Sequence, residues 1–98
     1  MAQFDGYKLP AGKWIVDVQS DVLHVAETTM AIPLISIGNT AAVPSRLTPL
    51  LRVRDQQMIL ATHLMSAIER RRLGSVQMNL AWEEYTIKAA IDMLFSGF

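Results

Sequence analysis

The stretch from Met58 to Arg72, MILATHLMSAIERRR, decides how many helices this chain has. Met58, Ala61, Leu64, Met65 and Ile68 recur at three- and four-residue spacing, the stripe of an amphipathic helix. Ala, Leu, Met, Glu and Arg dominate, and these are strong helix formers. Met58 to Thr62 fits equally well as a buried strand entered from a turn at Asp55-Gln56-Gln57. Periodicity alone does not settle short apolar runs, so on the residues themselves both readings stand.

Upstream of this stretch the chain reads as short strands. Trp14 to Asp21, WIVDVQSD, is the clearest of them. Its alternation puts Trp14, Val16 and Val18 on one side and Asp17, Gln19 and Asp21 on the other, the pattern of a half-buried antiparallel strand. Met30 to Ile37, MAIPLISI, is a second strand, and Pro33 marks an edge position or a bulge because it donates no ladder hydrogen bond. Gln3 to Tyr7 reads as a short first strand, followed by turn chemistry at Leu9-Pro10-Ala11-Gly12. Val22 to Thr29 and Gly38 to Pro49 are connections. Leu50 to Arg54 alternates again, with Leu51 and Val53 inward and Arg52 and Arg54 outward. Leu73 to Met78 is a weak strand with Gly74 at a bulge.

The end of the chain, WEEYTIKAAIDMLFSGF from Trp82 to Phe98, reads as a helix. Ile87, Ala90, Ile91, Leu94, Phe95 and Phe98 make one apolar stripe at helical spacing. Asn79 is a candidate N-cap, and Glu83 and Glu84 complement the positive end of the helix dipole. Glu84 and Lys88 stand four apart in the favourable order. Gly97 supplies a left-handed closing residue. Several short strands with one terminal helix point to a small barrel or twisted sheet.

With 98 residues, one domain spanning 1–98 is expected. The chain is 51% hydrophobic and 18% charged, which excludes a disordered segment. Nine basic and nine acidic residues cancel, so no general attraction to nucleic acid is implied. There is no cysteine, hence no disulfide and no thiolate metal site. The N-terminal residues lack the basic head and apolar core of a signal peptide, and no apolar run is long enough for a membrane span. A cytoplasmic protein is expected.

Little in the residues points to catalysis. Asp17 and Asp21 on one strand would stand about 13 Å apart, too far to share a proton. Their ordinary reading is a solvated or hydrogen-bonded strand face. His24 and His63 are the only histidines, and neither has a metal-ligand companion at the right spacing. There is no phosphate-cradling glycine loop and no nucleophile elbow. No enzyme activity, cofactor or metal is expected. Six of the nine basic residues fall between positions 46 and 72, among them Arg46, Arg52, Arg54 and the run Arg70-Arg71-Arg72. This block is either a solvated face or a site for an acidic peptide or phosphate backbone. Aromatic residues are absent from it, against a stacking platform for single strands.

Two stretches add a resemblance. VDVQSD at Val16 to Asp21 with Met30-Ala31-Ile32-Pro33-Leu34, and the end Ile87 to Phe98, resemble the signatures of the CcdB toxin family. The resemblance spans nearly the whole chain, specific at its two ends and looser between Gly38 and Asn79. It implies an SH3-like antiparallel β-barrel of the CcdB/MazF type with a C-terminal helix, assembled as a homodimer, and it resolves Met58 onward toward strand. Members of that family poison DNA gyrase by binding its A subunit and trapping the cleaved DNA complex. A CcdA-like antitoxin neutralises them through a disordered, acidic C-terminal segment, and the pair represses its own operon, a plasmid-maintenance arrangement. DNA contact is then indirect, through antitoxin or gyrase. The gyrase-contact positions of the family fall here on Val22, Leu23, Asp92, Phe95, Ser96, Gly97 and Phe98. Ser96 departs from the Trp common before the terminal glycine, Phe98 from the usual Ile and Asp92 from the usual Asn. Arg52, Arg54, Arg70, Arg71 and Arg72 are the candidates for the antitoxin's acidic segment. Competing expectations are a ribonuclease toxin on a related barrel and a non-toxic relative that binds antitoxin in operon autoregulation.

Overall fold

The computed structural model describes residues 3–21, 27–39 and 43–97. Seven short strands are followed by one helix: β1 (Asp5–Lys8), β2 (Trp14–Asp17), β3 (Thr28–Ser36), β4 (Leu50–Val53), β5 (Gln56–Leu60), β6 (Ser66–Glu69), β7 (Met78–Asn79) and α1 (Glu84–Ser96). All pairings are antiparallel, in the order β4-β5-β3-β2-β1-β7, with β6 also on β3. The fold is mainly β, a curled half-barrel closed by a C-terminal helix. Among the described residues no helix is long and apolar enough to cross a membrane.

The nine residues of β3 are the spine. Thr28 to Ala31 pair with β6, and Leu34 to Ser36 pair with β5. Pro33 lies between these two ladders. Val18 N–H donates to Met30 O at 2.9 Å, so Ile32 and Leu34 bond toward β2 and Pro33 turns to the opposite edge. There its carbonyl accepts from Ala61 N–H at 2.9 Å. Its missing donor falls where the partner strand changes, which is why a proline survives in a central strand.

The core collects the alternating residues of the inner face: Val16, Ile32, Leu34, Leu51, Val53 and Leu60, with Ile87 and Ala90 pressed onto them from α1. Ile87 has no exposed surface. Burial of a side chain that size contributes about 2 kcal/mol, so the helix is held by packing more than by its own propensity.

Of the two readings of Met58 to Arg72, the strand that the family resemblance implied stands and the helix does not, and the bounds of other elements are corrected. The stretch is β5, a single 3-10 turn at Thr62–Leu64, β6, and a second 3-10 turn at Arg70–Arg72. Ladders to β3 and β4 outweigh local propensity because they bury Met58, Ile59 and Leu60 completely or nearly so. The first strand begins at Asp5 rather than Gln3, because Phe4 takes φ 71° and breaks the extended backbone. The weak strand near Leu73 shrinks to Met78–Asn79. The turn between β4 and β5 is Arg54-Asp55, two residues long, with Arg54 at φ 56°.

The second face of β2 is not solvated either. β6 and the turn after it cover it, so Asp17 is 3% exposed. Its Oδ1 accepts from Thr29 Oγ1 at 2.7 Å and from Gln19 N–H at 3.0 Å, and its Oδ2 lies 3.9 Å from Arg70 Nη1. Asp21 is exposed and accepts from Gln3 N–H at 2.6 Å.

Candidate functional site

Two regions carry the residues singled out in the sequence. The first is the end of α1. The helix starts at Glu84, after a 3-10 turn at Ala81–Glu83 whose first amide donates to Asn79 Oδ1 at 2.8 Å. Asn79 therefore closes a local turn ahead of the 3-10 segment, whose N-cap is Leu80, and does not cap α1. Glu84 and Lys88 meet at 3.4 Å on the exposed side. At the far end Gly97 sits at φ 80°, ψ 7°, and its N–H donates to Met93 O at 3.0 Å. A residue with a Cβ takes that conformation at a cost of about 1 kcal/mol or more.

The helix divides its residues between two sides. Ile87 and Ala90 face the core, with Ile91 and Leu94 half-buried beside them. Tyr85, Lys88, Asp92 and Ser96 are exposed at three- and four-residue spacing along the opposite side. Phe95 does not join the apolar stripe. Eight residues on from Ile87, it is rotated by about 80° from that line, and it is 72% exposed. Asp92, Phe95, Ser96 and Gly97 thus gather on the last turn as an accessible tip. Val22, Leu23 and Phe98 lie outside the described residues.

The second region is basic, and the fold splits it. Arg70 is 15% exposed in its side chain and faces buried Asp17, while its backbone N–H donates to Glu27 O at 2.8 Å. Arg71 Nε meets Glu69 Oε2 at 2.9 Å. Arg72 and Arg52 are exposed. Arg54, on the β4–β5 turn, donates from Nη2 to Gln77 O at 3.1 Å and lies 5.2 Å from the Trp14 ring centre. Lys8, opposite Trp14 in the β1–β2 ladder, brings its Nζ to 5.6 Å from the same ring. The sequence reading missed Lys8 and Trp14. Their adjacency to each other follows from a β1–β2 hairpin, but Arg54 is forty positions from Trp14 and no local signal links them.

Under the Arg70 turn lies one further polar group. Tyr7 is 1% exposed, packed with Ile15 and Ala31, and its hydroxyl has no hydrogen-bond partner among the described residues. Burial pushes its pKa above 10.0, the Asp5 and Asp17 carboxylates add to the rise, and Arg70 opposes it.

The described residues thus leave an aromatic ring exposed on a glycine-capped helix end, with the cations dispersed over the β4–β5 hairpin and the Arg70 turn. The family model for CcdB protein matches residues 3–97, almost the full length. This chain belongs to the CcdB family, the toxins of toxin–antitoxin modules.

Proposed function

We propose that this chain is a gyrase-directed toxin acting by binding alone. The end of α1 would engage the gyrase A subunit and hold the cleaved gyrase–DNA complex. The observation that carries this reading is Phe95, an apolar ring left 72% exposed on a helix end locked by left-handed Gly97. A bulky apolar group in a preorganised setting is the usual form of an interface anchor, and losing one typically costs about 2 kcal/mol or more of binding. Asp92, Ser96 and Gly97 would complete the contact, and the family resemblance adds Val22, Leu23 and Phe98 to it. A CcdA-like antitoxin with a disordered acidic segment would neutralise the toxin in the cytoplasm. A homodimer fits the exposed Trp82 and Tyr85, since such aromatics on one small chain favour burial against a partner.

The test is a cleavage assay with purified gyrase, DNA and toxin. Double-strand breaks are expected only when all three are present. Phe95→Ala is expected to melt near the parent temperature and to produce no breaks. A folded Phe95→Ala chain that still arrests growth would refute the assignment, and RNA cleavage by pure toxin would refute the reading as a whole. Sedimentation showing only monomer at micromolar concentration would remove the dimer.

A further inference from the structure

We infer that residues 66–76 form a strap that opens as one unit while the rest of the sheet and α1 stay folded. The strap lies over a second, smaller core on the outer face of β1, β2 and β3, and its opening uncovers that core.

No side chain of the strap is buried. Ile68, Arg70 and Leu73 are partly covered, and its other eight residues are exposed. The main core of twelve buried residues takes none of them from it. What the strap covers is the cluster of three, Tyr7, Ile15 and Ala31, against which Ile68 and Leu73 pack. Its main chain is held along one edge: β6 pairs with β3 from 28 to 31 and with no other strand among the described residues. Both ends are anchored separately. Met65 N–H donates to Thr62 O at 3.1 Å, and Thr62 has no exposed surface. Gln77 N–H donates to Gly6 O at 2.9 Å, where β7 joins β1.

A short ladder, little apolar cover and mostly exposed residues mark a segment that opens at less than the cost of global unfolding. Closing it also leaves a polar group unsatisfied. The Tyr7 hydroxyl is sealed from water with no partner among the described residues, and opening returns it to solvent. Asp17 does not depend on the strap, although Arg70 faces it at 3.9 Å. Its donors, Thr29 on β3 and Gln19 just past β2, stay in place when Arg70 leaves. α1 packs into the main core through Ile87 and Ala90, so the opening leaves its last turn formed.

The experiment is native-state hydrogen exchange on the full chain, read by mass spectrometry while urea is raised within the folded range, under conditions where reclosing outpaces exchange. Amides of residues 66–73 are expected to exchange at least about a hundredfold faster than those of β5 and the middle of α1, because only the latter need global unfolding. Their rates should hardly change with urea, since a local opening exposes little surface. Variants separate the two kinds of opening. Ile87→Val weakens contacts that survive in the open state. It should speed the core amides about fivefold and leave the strap amides unchanged. Leu73→Ala removes a contact that the open state lacks, and should speed the strap amides about tenfold. Tyr7→Phe should slow them by up to about fivefold, because closing then buries no hydroxyl. Strap and core amides that respond equally to Ile87→Val, or that share one steep dependence on urea, would overturn the strap. A strap rate indifferent to Leu73→Ala would overturn it as well.

Discussion

Asp17→Ala should be among the most damaging single changes in this protein, although the residue lies in a strand face that alternation assigns to solvent. The carboxylate is 3% exposed and accepts from the fully buried Thr29 hydroxyl at 2.7 Å and from Gln19 N–H at 3.0 Å. Removing it strands two donors, one of them with no access to water. Hydrogen bonds to a charged acceptor contribute roughly 1.5–3 kcal/mol, and a buried donor left unmade costs about the same. A total near 3 kcal/mol is expected, which for a chain this size lowers the melting temperature by on the order of 15 °C. Asp17→Asn retains an acceptor oxygen and should lose about a third of that. Thr29→Val on top of Asp17→Ala should recover about 1 kcal/mol, because no orphaned hydroxyl remains. Thermal and urea unfolding followed by circular dichroism, at one fixed protein concentration, measure all of these. Asp21→Ala, at an exposed carboxylate, is the control and should shift stability by less than about 0.5 kcal/mol. If Asp17→Ala resembles Asp21→Ala, Asp17 does not hold this face together.

Tyr7→Phe removes a buried hydroxyl without a partner and should leave stability at neutral pH unchanged or higher by up to about 1 kcal/mol. Because burial and the neighbouring carboxylates raise the folded pKa above 10.0, the unfolded chain loses its proton first. Stability is then intact below pH 10 and falls as pH rises through the folded value, and Tyr7→Phe should abolish this phase in urea titrations at stepped alkaline pH. Ile87→Ala should cost about 3 kcal/mol by opening a cavity under α1, measured by the same unfolding. Phe95→Ala should leave the melting temperature within a few degrees and reduce gyrase binding by about thirtyfold or more in a pull-down or calorimetric titration.

What could be read from the residues was what is local. The alternation at Trp14 to Asp17, the run after Met30 and the stripe and glycine of α1 each carry their own signal within a few positions. The failures are contacts made at a distance. Nothing near Asp17 announces that β6, some fifty positions on, will cover its face. Met58 to Arg72 spells a helix by propensity, and only the ladders to β3 and β4 overrule it. There the family resemblance, which implied strand, succeeded where periodicity left two answers. The basic block is dispersed for the same reason. Five arginines close in sequence separate onto a hairpin and a turn, while Lys8 and Trp14, outside the block, come to lie against Arg54.

That separation bears on how such a toxin is controlled. The inner side of α1 is committed to the core through Ile87 and Ala90, which leaves its last turn available without any effect on folding. The candidate antitoxin residues sit on other elements, Arg52 and Arg54 on the β4–β5 hairpin and Arg71 and Arg72 on the 3-10 turn after β6. A target at the helix end and an antitoxin on these cations would then use different side chains. Substitutions should therefore be separable in both directions: changes at Phe95 or beyond should spare antitoxin binding, and changes at Arg52 or Arg72 should spare toxicity. A single shared surface would forbid that, since every residue that weakened the target contact would weaken the antitoxin in step. Measuring both affinities across one set of exposed variants decides between these arrangements. Two uncorrelated columns of values would support separate surfaces, and a common slope would refute them.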